Sequence, residues 1–213
     1  MPVSTLPQGI YGITDPSLLP GESLFTGVES ALKGGCRVIQ YRDKQSKPDQ
    51  ALAKALRLKA LCHKYQAALI INDSLALALD SDADGLHLGK SDGHLSEARQ
   101  ALGDKKIIGV TCHSDLQYAQ DCINQGASYC AFGRFFESQT KPEAPPCSLE
   151  TFKQALQLSI PVLAIGGISI DNIARFRDTP PHNIAVINSL FGQADIYQAA
   201  LALSAAFKQI QTY

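Results

Sequence analysis

Residues 37–44 read RVIQYRDK. An apolar, β-branched start marks a strand, and alternate residues of a strand share a face. Gln40, Arg42 and Lys44 therefore point the same way. If that face met solvent, the pattern would carry little information. If it were covered, three polar groups, two of them cationic, would need a reason. The flanking sequence decides. GIYGITD (9–15) precedes this stretch and ALIINDS (68–74) follows it, and both are short apolar runs that end in polar residues. Amphipathic segments of helical spacing lie between them, GESLFTGVESALKGG on one side and DQALAKALRLKALCHKY on the other.

The alternation continues to the end of the chain. GLHLG, KIIGVTC, YCAFGRFF, PVLAIGG and NIAVINSLF read as five more strands. SLALALDSD, HLSEARQALG, DLQYAQDCINQGA, SLETFKQALQL, IDNIARFRD and ADIYQAALALSAAFKQIQ read as helices. Strands alternating with helices imply a parallel sheet with right-handed crossovers. Eight such units in 213 residues predict an α/β fold, a single (β/α)8 TIM barrel spanning residues 1–213. In a closed barrel both faces of every strand are covered, so the polar alternation of 40, 42 and 44 projects into the mouth.

Composition narrows the function. The formal charge of −1 gives no polycation for nucleic acid and no basic surface for a membrane, so any anion site must be local. No apolar run approaches the roughly 18 residues of a spanning helix, and MPVSTLPQGIYG does not read as a signal peptide. The six cysteines form no CxxC pair, which suits reduced thiols in a cytoplasmic protein. Whether the chain forms a homo-oligomer is not legible.

Sites in this fold lie at the C-terminal ends of the strands. There the sequence offers Gln40, Arg42 and Lys44, then Asn72 and Asp73, then His87, Lys90 and Asp92. Thr111 and His113, Ser138, Thr140 and Lys141, Gly166-Gly167, and Asn188 with Ser189 complete the series. Arg42, Lys44 and Lys141 suit phosphate oxygens. Asp73 and Asp92 suit Mg2+, which takes one or two carboxylates with water and substrate phosphate. The set describes a diphosphate site. Taken singly, either aspartate also reads as a helix cap. His87 reads as an interior residue, and His63, His94 and His182 as surface positions. The ESQTKPEAPPC segment (137–147), with three prolines, reads as an active-site loop that closes over substrate.

YGITD, GGCRVIQYRDK, LIINDS, DGLHLGKSD, IIGVTCH, AFGRFFESQTKP and LAIGGI occur in the order and spacing of the thiamine phosphate synthase family. The resemblance runs from about Gly9 to Phe191. It implies an enzyme that joins 4-amino-2-methyl-5-hydroxymethylpyrimidine diphosphate to 4-methyl-5-hydroxyethylthiazole phosphate. The products would be thiamine phosphate and pyrophosphate. By resemblance, Gln40, Tyr41, Arg42, Asp43, Lys44 and Asn72 hold the pyrimidine diphosphate, and Asp73 and Asp92 bind Mg2+. Thr111 touches the pyrimidine. Ser138, Gln139 and Thr140 form the thiazole-phosphate loop, Lys141 meets the diphosphate, and the Gly167 backbone meets the thiazole phosphate. Arg42, Lys44 and Lys141 would stabilise the departing charge. Lys90, Arg134, Ser138 and Asn188 depart from the commoner family pattern. Two other readings share these segments: a thiazole tautomerase paralogue, which does not need the diphosphate apparatus, and a non-catalytic barrel that binds thiamine phosphates.

Overall fold

The computed structural model describes residues 5–91, 93–137 and 145–212. The eight apolar runs form strands β1 (Gly9–Ile13), β2 (Val38–Tyr41), β3 (Ala68–Asn72) and β4 (Gly85–Leu88). They continue as β5 (Ile107–His113), β6 (Tyr129–Phe132), β7 (Val162–Ile165) and β8 (Asn183–Val186). All pair in parallel and in chain order, and β8 returns to β1, with Gly9 opposite Asn183 and Gly12 opposite Val186. The sheet is thus a closed barrel, as the alternation predicts.

Helices α1 (Ser23–Lys33), α2 (Pro48–Lys64), α3 (Leu75–Asp80), α4 (Leu95–Leu102), α5 (Leu116–Asn124) and α6 (Leu149–Ala155) follow the first six strands. A 3-10 turn, Ile173–Phe176, follows β7, and α7 (Asn188–Phe191) and α8 (Ile196–Gln211) follow β8.

Side-chain parity separates two cores. Tyr11, Ile13, Val38, Ala68, Ile70, Ile107, Tyr129, Ala131, Leu163 and Ala185 fill the barrel. Their neighbours Ile10, Ile39, Tyr41, Leu69, Ile71, Leu86, Ile108, Phe132 and Ile184 face the helices. Outside β6, Phe152 packs edge-on against Phe132, Phe135 and Phe176.

Some expectations change. β2 stops at Tyr41 rather than running to Lys44, because the Arg42 N–H donates to the Thr14 hydroxyl at 3.0 Å instead of continuing the ladder. The helix expected over IDNIARFRD is only a 3-10 turn, and the end of NIAVINSLF is helix α7 rather than strand. Ser74, not Asp73, caps α3, its side chain accepting from the Leu77 N–H. His94, at the N-cap of α4, makes no side-chain capping bond. His94 is exposed as expected, but His63 and His182 are half-buried. His63 Nε2 lies 3.0 Å from both carboxylate oxygens of buried Asp84, and His182 Nε2 lies 3.1 Å from the Leu6 carbonyl.

The aromatic cluster gives a direct test of the outer core. Phe152→Ala should cost about 3–5 kcal/mol in urea unfolding, because the side chain is fully buried among rings. Leu56→Ala, at an exposed helix position, should stay within about 0.5 kcal/mol.

Candidate active site

Barrel geometry collects the strand ends around one cavity of about 440 Å³ at the C-terminal mouth. Every strand or the loop that follows it contributes to the wall. Of the residues expected there, Gln40, Arg42, Asn72, Asp73, Thr111 and Gly167 all line it. So do His87, His113, Arg134, Gly166, Asn188 and Ser189. Asp92 and residues 138–141, which carry Ser138, Gln139, Thr140 and Lys141, lie outside the described residues.

Depth sorts these groups. Gln40, His87 and Tyr11 form part of the floor and are buried. His87 Nε2 sits 2.8 Å from the Thr111 hydroxyl. This confirms His87 as an interior residue and adds that it faces the cavity. Arg42 and Asp73 stand higher. Arg42 Nη1 lies 3.8 Å from Asp15 Oδ2. Asp73 Oδ2 accepts from the Asn72 amide at 2.6 Å and lies 3.3 Å from Lys44 Nζ. Lys44 itself is largely exposed and reaches the site only across the rim.

Tyr41 and Asp43 go elsewhere. The parity that turns Gln40 inward turns Tyr41 outward, into the layer under the helices. Its hydroxyl donates to Asp43 Oδ2 at 3.2 Å. Asp43 also accepts from the Gln45 N–H, the Ser46 N–H and the Ser46 hydroxyl, and it pairs with Lys54 of α2 at 2.9 Å. Burial alone would push the Asp43 carboxyl up, but these donors outweigh it and hold the group below the usual carboxylate range. Both residues belong to a second cavity of about 240 Å³, outside β2, whose wall also includes Arg42. They brace the loop that carries Arg42 and Lys44.

Two wall residues hold unusual backbone. Asp73 (φ 61°) and His113 (φ 55°) are non-glycine residues in the left-handed region, at the ends of β3 and β5. Such strain persists only where surrounding contacts fix it, and it gathers at functional sites. Gly167 (φ 66°) is needed for another reason: a Cβ there would collide with the Glu137 carbonyl. The Asn172 amide donates to the Gly167 carbonyl at 3.0 Å and so holds the turn.

Sequence reasoning missed Asp15 and Tyr11. Both lie in the YGITD segment, but a barrel strand beginning with apolar residues gives no sign that its tyrosine faces inward. Only the pairing of β1 with both β2 and β8 fixes that.

The family model for thiamine monophosphate synthase matches residues 10–190. A thiamine-phosphate synthase of Alcanivorax borkumensis is 49% identical over 98% of this chain and 97% of its own length. One from Marinobacter nauticus is 43% identical, over 96% and 93%. The solved thiamine phosphate pyrophosphorylase of Pyrococcus furiosus superposes with a TM-score of 0.87 at 30% identity, covering 95% of this chain and 96% of that one.

A depressed carboxyl stabilises the fold above its unfolded pKa and loses that contribution as pH falls toward the folded one. The stability of the parent protein should therefore decline between about pH 5 and 2, through the unfolded Asp value near 3.9. Asp43→Asn should be less stable at neutral pH, with a shallower decline over that range. Parallel denaturant curves at several pH values would check this, and equal slopes would mean that the Asp43 network contributes nothing.

Proposed function

Because the chain belongs to the thiamine monophosphate synthase family, we propose that it condenses the hydroxymethylpyrimidine diphosphate with the thiazole phosphate. Thiamine phosphate and pyrophosphate are the products. The observation that carries this reading is the single cavity where Gln40, Arg42, Asn72, Asp73 and Thr111 converge. In this reading the aminopyrimidine lies on the floor against Gln40 and Thr111. Its diphosphate reaches up to Arg42, Asn72 and Lys44, and the family resemblance adds Lys141. Tyr41 and Asp43 act from behind, by fixing that corner of the wall. The thiazole phosphate meets Ser138, Gln139, Thr140 and the Gly167 backbone.

Asp73, with Asp92, would hold Mg2+. The Asp73 carboxylate is a hard oxygen donor at the rim, and its present neighbours are a neutral amide N–H donor and the Lys44 ammonium. When bound, Mg2+ neutralises charge on the leaving diphosphate.

The chemistry needs no covalent nucleophile. The amino group of the pyrimidine feeds electrons toward the methylene carbon, so the diphosphate bond can break before the thiazole nitrogen attacks. Arg42 and its neighbouring cations stabilise the charge that develops on the diphosphate. Cysteine chemistry is unsuited. All six thiols are free and buried, and burial pushes Cys36 up to about 12 and Cys147 to about 11. Free thiols in every case also support a reducing, cytoplasmic setting. Arg42 and Asp73 at one mouth favour the synthase over the tautomerase paralogue, and the site as a whole favours turnover over a passive thiamine-phosphate binder.

Purified protein given both substrates and Mg2+ should form thiamine phosphate, and EDTA should abolish it. A folded protein that binds both substrates and makes no product would reject the proposal. Arg42→Ala and Lys141→Ala should each lower the single-turnover rate at least about a hundredfold. Thiazole-phosphate affinity should change far less. An unchanged chemical step would remove these cations from the mechanism.

A further inference from the structure

Five side chains cross the barrel at the floor of the cavity and touch in series, four of them lining it and Tyr129 behind. The Gln40 amide nitrogen donates to the Tyr11 hydroxyl at 2.9 Å, and the Tyr11 and Tyr129 hydroxyls are 2.8 Å apart. The Tyr129 hydroxyl lies 2.9 Å from His87 Nδ1, and His87 Nε2 lies 2.8 Å from the Thr111 hydroxyl. The strands are arranged to allow this. His87, Gly109 and Tyr129 are register partners on β4, β5 and β6. A Cβ at Gly109 would fall on the Tyr129 ring, and without one the His87 ring stacks on that ring at 5.6 Å between centroids. Tyr11, Tyr129 and Gln40 are no more than 3% exposed, so bulk water does not bridge their links.

Counting hydrogens gives the series a direction. A tyrosine hydroxyl has one hydrogen, and a neutral imidazole has one N–H. Burial raises both tyrosine pKa values, so both hydroxyls keep their hydrogens. The Gln40 nitrogen only donates, so Tyr11 sends its hydrogen to Tyr129. Tyr129 then donates to Nδ1, which places the imidazole hydrogen on Nε2, aimed at the Thr111 oxygen. The Thr111 hydroxyl hydrogen is left to point into the cavity. At the other end, the Gln40 carbonyl oxygen is left as an acceptor. The two ends are coupled: reversing either reverses every link between them.

We propose that Tyr11, Tyr129 and His87 form a directional relay that sets Gln40 as acceptor and Thr111 as donor, and thereby selects a ring bearing an amino group beside an acceptor nitrogen. This rests on the reading that the floor takes the aminopyrimidine. Tyr129 does not line the cavity, so it is a positioning residue that acts through His87 and Tyr11. An oxo analogue of the pyrimidine, which presents an acceptor where the amino group donates and a ring N–H where the nitrogen accepts, opposes the sense of the relay at both ends.

Two measurements on the intact protein test this. The first is 15N NMR of the histidine side chains, with His87 assigned by its loss in His87→Gln. His87 should be the neutral Nε2–H tautomer in the parent protein, and in Tyr129→Phe its Nδ1 and Nε2 signals should move toward averaged values. A parent His87 in the Nδ1–H tautomer overturns the proposal. The second is the ratio of kcat/KM for the amino diphosphate over the oxo diphosphate. Tyr129→Phe and Tyr11→Phe should lower that ratio about tenfold, the worth of one hydrogen bond, with KM for thiazole phosphate unchanged. An unchanged ratio in cooperatively folded variants also overturns the proposal. If the parent protein turns over neither pyrimidine, the functional reading fails, and the His87 tautomer still decides the sense of the relay.

Discussion

Pairing of β8 with β1 is the constraint on which the rest depends. Once the sheet closes, inward side chains can find partners only in one another or in whatever enters at the mouth. Apolar layers solve this at depth, through Val38, Ala68, Ile70 and Ile107. The polar residues above them must be satisfied in pairs or series, and Gln40, Tyr11, Tyr129, His87 and Thr111 are. Nearer the mouth, Arg42, Asn72 and Asp73 line the cavity itself. Floor and rim therefore differ in kind. The floor is a fixed hydrogen-bonding surface, and the rim is a set of charges.

That division matches the two demands of the proposed chemistry. A ring must be held in one orientation while charge leaves it, and neutral groups of fixed sense do this without competing for the diphosphate. The leaving group in turn needs cations that can follow it, which suits Arg42 and the exposed Lys44. Arg42 stands between the central cavity and the outer one, and Asp43, Ser46 and Lys54 anchor the chain just beyond it. The loop is thus braced from outside the barrel, leaving its inward face for ligand.

Much of this was legible in the sequence. Eight apolar runs alternating with amphipathic helices fixed the barrel, and strand-end polar residues located Gln40, Arg42, Asn72, Asp73 and Thr111 at the mouth. Period two, taken strictly, also separates Gln40 and Arg42 from Tyr41 and Asp43. Family resemblance gathered all four into one site, and only parity tells wall from brace. The departures have local causes. β2 ends early because Thr14, from another strand end, takes the Arg42 N–H. The relay was not legible at all, because its members come from five strands and meet only through closure. Gly109 is its one trace in the sequence, and its meaning appears only when Tyr129 is seen to occupy the space above it.

The most direct test is a crystal structure with the pyrimidine diphosphate bound and Mn2+ in place of Mg2+, the metal located by its anomalous signal. The account predicts metal at Asp73, the diphosphate beside Arg42, and the ring on Gln40 and Thr111. Diphosphate in the outer cavity beside Asp43 and Lys54, or metal away from Asp73, would contradict it.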